Sequence, residues 1–186
     1  MTPLVRLPLA ILAVGVCLLA GCGGDDGKGS SADVRANSTD AAFVEAMLPH
    51  HEEEVDAADL ALSRAQHPQL KRLAQGMLQT ESVELSTLRT VRDVLQEASI
   101  EPGELGVTAA QKGDHVDVDA LRNADDFDCT FLETMIPHHE AGVRIARAEL
   151  EGGIHAELRH MSENIVDQQS FETRQMRNYE KAWCVG

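Results

Sequence analysis

Aromatic residues are scarce in this chain. Phe, Trp and Tyr supply 3% of 186 residues, with a single Trp and a single Tyr. Runs of β-branched residues are also few, so a sandwich or barrel of alternating strands has little to build on. Cations are in short supply as well. Lys and Arg number 16 against 31 Asp and Glu, leaving a formal net charge of −15. Without a basic stripe to neutralise phosphates, nucleic-acid binding is argued against. The chain lacks a Cys-x-x-Cys, a glycine-rich phosphate loop and a Ser/His/Asp arrangement, which leaves thioredoxin-like, nucleotide-binding and hydrolase readings unsupported.

What is present is helix-forming. Long stretches rich in Ala, Leu, Glu, Gln and Arg, with only six prolines, indicate an all-α domain. The length suits one domain plus processing segments. An acidic surface favours solubility and draws cations.

One stretch occurs twice. Phe43-Val-Glu-Ala-Met47-Leu-Pro49-His50-His51-Glu52 returns as Phe131-Leu-Glu-Thr-Met135-Ile-Pro137-His138-His139-Glu140. A gap-free alignment of residues 40–95 with 128–183 also pairs Asp40 with Asp128, Val55 with Val143, His67 with His155, and Glu84 with Glu172. The chain is an internal duplication, and the duplication sets its architecture.

Residues 1–21 read as an export signal, with one cation (Arg6), an apolar run from Leu7 to Ala20, and Leu19-Ala20-Gly21-Cys22 at its end. The run is short for a membrane span. The ending resembles the lipobox of bacterial lipoproteins, which implies lipidation of Cys22. The protein is therefore expected to be exported and held by that lipid on the extracytoplasmic face of the bacterial cell membrane. Residues 22–39, rich in Gly, Asp and Ser, read as a flexible tether.

The domain spans residues 40–186: repeat one 40–97, a connector 98–127, and repeat two 128–183. Asp40 is the expected N-cap of a first helix, and Phe43, Met47, His51, Ala58 and Leu62 follow at helical spacing. Pro49 falls inside it and Pro137 inside the third helix, so a kink is expected over 45–49 and its counterpart. Gln66-His67-Pro68 opens a second helix, with Leu70, Leu73, Met77, Leu88, Val91 and Leu95 on one face. The connector loses periodicity apart from a short helical piece at 108–112. Asp128 caps the third helix, Gly152-Gly153 ends it, and His155 opens a fourth that runs to about Trp183. Two helical hairpins packed as a four-helix bundle follow. Cys129 and Cys184 lie at neighbouring ends of the second hairpin and are expected to form a disulfide.

Met47, His50, His51 and Glu54 fall within an arc of roughly 100° on the first helix. Met135, His138 and His139 repeat this, with Gly142 in the place of Glu54. On the facing helices, Thr80 and Glu84 interrupt one apolar stripe, and Gln168 and Glu172 the other. A carboxylate on an apolar face is costly unless paired. Counted from each turn, Glu84 lies near His51, Glu172 near His139 and Met176 near Met135. Thioether with imidazole favours copper, especially Cu(I), or Ag(I). Glu84 and Glu172 serve either as ligands or as partners that fix a histidine tautomer. His67 and His155 read as surface or capping residues, and His160 with Met161, present only in the second half, as an extension of its site.

These residues resemble the domain-of-unknown-function 305 family, exported bacterial helical proteins marked by Asp-x-x-Phe, Met-x-Pro-His-His and a downstream Gln-x-x-Glu with methionine four residues on. The second half matches throughout: Asp128 to Phe131, Met135 to His139, Gln169-Ser-Phe-Glu172 and Met176. The first half keeps Asp40 to Phe43 and Met47 to His51 but has Glu81-Ser-Val-Glu84 and Leu88. The resemblance covers about residues 40–183. It implies a ferritin-like four-helix fold and, for some members, copper or silver binding in the cell envelope.

The leading reading is a lipid-anchored copper-binding protein that sequesters or delivers the ion without chemistry on a substrate. Met135, His138 and His139 are its first ligands, Met47, His50 and His51 a second set, with a delivery partner or self-association left open. Two alternatives compete with it. One is a non-metal helical interaction module whose His–Glu pairs set register. The other is a ferritin-like di-iron oxidase, for which Glu157-Leu-Arg-His160 is the only Glu-x-x-His.

Overall fold

The computed structural model describes residues 35–108 and 115–184. The expected leader, Cys22 and most of the tether lie outside the described residues, as does nearly all of the helical piece expected at 108–112. Among the described residues there are five helices and no strands: α1 Ser38–Arg64, α2 Pro68–Glu97, α3 Val118–Arg122, α4 Phe127–Gly152 and α5 Ala156–Trp183. The four long ones form the bundle. None is long and apolar enough to cross a membrane.

Each long helix starts on a residue suited to the task, though not always the expected one. Asn37, not Asp40, caps α1: its side chain accepts from the N–H groups of Thr39 and Asp40, while the Asp40 carboxylate accepts from the Asn37 N–H. Asp126, not Asp128, caps α4 by accepting from the Cys129 N–H. The displaced aspartates face the opposite hairpin. Asp40 Oδ1 accepts from the N–H groups of Ile154 and His155 at 2.9 and 2.8 Å. Asp128 accepts from those of Gln66 and His67 at 2.9 and 2.8 Å, with His67 Nδ1 2.6 Å away. Each repeat thus satisfies the orphan donors at the other repeat's turn, which ties the two hairpins together.

His67 precedes α2 with Pro68 in its first turn, where a missing N–H costs nothing. His155 caps α5 by accepting from the Leu158 N–H, and Gly153 follows the end of α4. Both α1 and α4 run on through their internal prolines.

α1 packs on α2, α4 on α5, and α1 on α4, whereas α2 and α5 scarcely meet. The core is in two parts. One cluster joins Phe43, Met47, Leu88, Leu95, Ile145, Leu158 and Met161. The other joins Ala58, Leu70, Met77, Phe131, Met135 and Met176. Early α1 therefore meets late α4, so the central pair is antiparallel. The connector is pinned at both ends: Gly103 N–H donates to Ser38 O at 2.9 Å, and Val116 N–H to Glu53 Oε2 at 3.0 Å. Its second half contains α3, capped by Asp117, where no periodicity was expected; five residues are too short to show a period. Cys129 and Cys184 are joined by a disulfide.

Candidate metal centre

Between the two apolar clusters lies a layer of buried polar side chains. α1 supplies His50, His51 and Glu54, α4 supplies His138 and His139, α2 supplies Glu81, and α5 supplies Gln169 and Glu172, all buried. Glu84 joins them at 12% side-chain exposure. The two halves meet on a shared axis. The His50 and His138 rings stack with centroids 3.8 Å apart and planes 8° apart, and His138 Nε2 lies 3.3 Å from the His50 carbonyl oxygen.

On one side, His51 Nε2 lies 2.8 Å from both Glu81 Oε2 and Glu84 Oε2. On the other, His139 Nε2 lies 3.1 Å from Glu172 Oε2, whose second oxygen accepts from Gln168 Nε2 at 3.2 Å. Glu54 sits in the middle. Its oxygens are 3.5 Å from His50 Nε2 and 3.1 Å from His139 Nδ1, and accept from Gln169 Nε2 at 3.0 and 3.1 Å. The second repeat has Gly142 at the corresponding position. A Cβ there would stand 2.2 Å from Gln169 Oε1 and 2.6 Å from His50 Nε2. One repeat supplies the carboxylate, and the other vacates the space that its neighbours need.

Burial should strip charge from these groups, yet several keep it because they are paired. Burial alone would lower His139, but Glu54 and Glu172 lift it to about 10. His51 is likewise raised well above the ordinary imidazole value, since Glu81, Glu84 and Glu54 outweigh its burial. Burial would raise Glu54, but His50 and His139 hold it well below the usual carboxylate range. His138 behaves differently: burial and the adjacent His50 push it down to about 4, so it is neutral. Burial and the charge of Glu54 push Glu81 up to about 8.

Pairing does not satisfy every atom. His50 Nε2, His51 Nδ1, His138 Nδ1 and Gln169 Oε1 are buried without a hydrogen-bond partner, whereas Glu81 Oε2 and His139 Nδ1 face only their ion-pair partners, His51 Nε2 and Glu54 Oε1. Orphaned buried polar atoms are few in native proteins, and here four share one layer. Two trios present ligand atoms within 4.8 Å of one another: His50, Glu54 and His138, and His51, Glu81 and Glu84. A cation fits such a donor set. The thioethers flank it. All five described methionines are buried: Met47 and Met161 in one apolar cluster, Met77, Met135 and Met176 in the other. Met47 and Met135 stand one helical turn before His50 and His138.

Two of the polar positions expected on the flanking helices are one residue off, while Glu84 and Glu172 stand where expected. Gln169 faces inward rather than Gln168, and Glu81 rather than Thr80, whose hydroxyl donates to its own helix at Gly76 O. Glu81 and Gln169 are repeat counterparts, a relation the alignment carried. Glu84, Glu172 and the four histidines lie within the layer, and Met176 shares a cluster with Met135. Glu157 and His160 are both exposed, outside the layer, so the single Glu-x-x-His does not join it.

The family profile described as "Domain of unknown function (DUF305)" matches residues 40–180. The chain belongs to the DUF305 family. Solved structures similar to this DUF305 domain include CopM in its Cu(I)-bound form, 31% identical, covering 77% of this chain and 96% of that chain with a TM-score of 0.66. CopM in a Cu(II)-bound form is 30% identical over 77% of this chain and 97% of that one, with a TM-score of 0.65. An Ag-bound form obtained by soaking is 30% identical over 77% and 96%, with a TM-score of 0.64. A DUF305 fragment from Deinococcus radiodurans shares the fold at 24% identity, over 77% of this chain and 96% of that one, with a TM-score of 0.59. A search of curated protein sequences finds no match.

Proposed function

We propose that this protein binds copper in the layer between its hairpins and sequesters or delivers the ion without chemistry on a substrate. The observation that carries this reading is the convergence of four unpartnered buried polar atoms and five buried carboxylate and imidazole pairings on one layer, flanked on both sides by buried thioethers. Imidazole and carboxylate suit several divalent metals, and buried methionine sulfur shifts the preference towards copper. The similarity to CopM, solved with Cu(I), Cu(II) and Ag, supports the same reading. His50, His138, His139 and Glu54 would hold an ion at the centre. His51, Glu81 and Glu84 would hold one at the flank. Met47, Met135 and Met176, with Glu172, would complete the surroundings. We further assign the preferred state to Cu(I), on the strength of the buried Met47, Met135 and Met176.

The leader and Cys22, read from the sequence, support a location outside the cytoplasm. In this reading residues 1–21 are removed, Cys22 carries the lipid, and residues 22–39 tether the domain to the membrane surface. Titration of the mature protein with Cu(I) tests the metal assignment. Wild type should bind tightly and melt at a higher temperature when loaded, and His138→Ala/His139→Ala should lose most of that binding. Unchanged stoichiometry and affinity in the double variant would sink the proposal.

A further inference from the structure

The His51 side of the layer is nearly enclosed. His51, His139 and Glu54 have fully buried side chains, and among the carboxylates around His51 (Glu54, Glu81 and Glu84) the most exposed is Glu84, at 12%. Glu84 therefore marks the side of the His51 site that lies nearest to solvent. Glu84 also lines a groove of about 460 Å³ between α2 and α5, where those two helices scarcely meet. The opposite wall of the groove carries Glu157, His160 and Met161. His160 is 76% exposed, with its Nδ1 3.8 Å from Glu163 Oε2, beyond hydrogen-bond range. Met161 is 6% exposed and belongs to the same apolar cluster as Met47.

The duplication provides an internal control. On the other repeat, the positions of Glu157, His160 and Met161 are held by Gln69, Arg72 and Leu73. A carboxylate, an imidazole and a thioether face one groove, whereas an amide, a guanidinium and an aliphatic chain occupy the equivalent positions. Arg72 would repel an approaching cation and Leu73 offers it no ligand. Packing does not require the difference, since Met161 and Leu73 are both buried core residues.

We propose that the α2–α5 groove is the entry port for a soft monovalent cation, Cu(I) or Ag(I). His160 and Met161 take the ion first, Glu157 and Glu84 concentrate it there, and it passes by way of Glu84 to His51. The port rests on the copper reading above and adds a direction to it: exchange runs through one face of the domain, and the duplicated face is closed.

His160→Arg/Met161→Leu, which installs the residues of the closed face, tests the port. Cu(I) is supplied as a coloured chelator complex, and its transfer to the mature protein is followed by stopped-flow absorbance. Transfer to the variant should slow at least about ten-fold, the scale on which local charge and encounter geometry alter association rates. Final stoichiometry and equilibrium affinity should stay as in wild type. Transfer at the wild-type rate overturns the port and leaves the copper reading intact. A parallel loss of equilibrium affinity also overturns it, because the two residues would then be ligands of the stored ion. A wild type that takes up no Cu(I) overturns the copper reading and the port together.

Discussion

The imidazoles of His50 and His138 stack face to face, 3.8 Å between centroids and 8° from parallel. The two are repeat counterparts, so the pseudo-two-fold axis of the duplication passes between them. Side by side in a buried layer, two such rings cannot both carry a proton cheaply, and burial with the adjacent His50 holds His138 down at about 4. The symmetry is broken one turn later by Glu54, whose carboxylate approaches histidines from both repeats.

Glu54 should consequently be the most sensitive side chain in the metal-free protein. Its removal leaves the His139 imidazolium facing only Glu172 and strips Gln169 of its acceptor. Breaking a buried charge pair from one side costs about 3–5 kcal/mol. Glu54→Ala should lose that much in urea denaturation of the metal-free protein. A loss below about 1 kcal/mol, the scale of exposed pairs, would mean that the layer is solvated and its pairing weak.

Gly142 offers a test with a sign. Within a helix, Gly→Ala normally stabilises by about 1 kcal/mol. Here the added methyl would meet Gln169 Oε1 at 2.2 Å and His50 Nε2 at 2.6 Å, and both neighbours are themselves engaged with Glu54. Overpacking of this kind costs about 1–3 kcal/mol, so Gly142→Ala should lower the melting temperature and weaken copper binding. A stabilised variant would show that the layer has slack.

The helices were legible because their apolar residues recur at helical spacing: Leu70, Leu73, Met77, Leu88, Val91 and Leu95 are all buried on α2 as their spacing indicated. The histidines stood out because they sat on that stripe. Fine register was not legible. Over a helix of 28 residues such as α5, the difference between Gln168 and Gln169 is a single 100° step, and helices drift from ideal periodicity by that order over their length. Comparing the repeats position by position does not correct it, since Thr80 lies opposite Gln168 just as Glu81 lies opposite Gln169. The meeting of the hairpins, His50 upon His138, was hidden for another reason: no local pattern encodes which face of one hairpin crosses the other. Asp40 and Asp128 read as caps of their own helices, because Asp is a good N-cap wherever it stands, and only the tertiary fold shows that they serve the opposite turn.

Glu149 gives the metal-free protein a pH dependence that can be separated from the histidine layer. It is buried beside Gly153, with the Asp40 carboxylate as its neighbour. Burial and then the neighbouring Asp40 carboxylate push it up to about 9, from an ordinary value of 4.5. The folded value is the raised one. The unfolded chain therefore releases this proton near pH 4.5 while the folded protein keeps it, and the associated stability, full below that pH, is lost as the pH climbs towards 9. Glu149→Gln removes the titration but keeps the shape. Thermal melts at pH 5 and pH 9 should show a smaller drop for the variant than for wild type, with the variant more stable at pH 9. Equal drops would mean that Glu149 is ionised in the fold.

The disulfide should contribute to stability without contributing to binding. Cys129 lies in the first turn of α4, Cys184 caps the end of α5, and 55 residues separate them. A cross-link closing a loop of that length removes denatured-state entropy equivalent to about 4 kcal/mol on the chain-entropy account. The bond also holds the end of α5, where Trp183 stacks on His67 with centroids 3.9 Å apart and on Tyr179 at 4.5 Å. Cys129 precedes His138 by nine residues along α4, roughly 14 Å at helical rise, so the histidine layer lies well away from the cross-link. Cys129→Ser/Cys184→Ser should therefore lose about 4 kcal/mol in urea while keeping wild-type copper stoichiometry at temperatures where it is folded. Reductant added to wild type should reproduce the same shift, because it opens the same loop. If the double variant lost copper binding while still fully folded, the disulfide would be orienting α4 at the histidines, and the two halves of the core would be coupled across the layer.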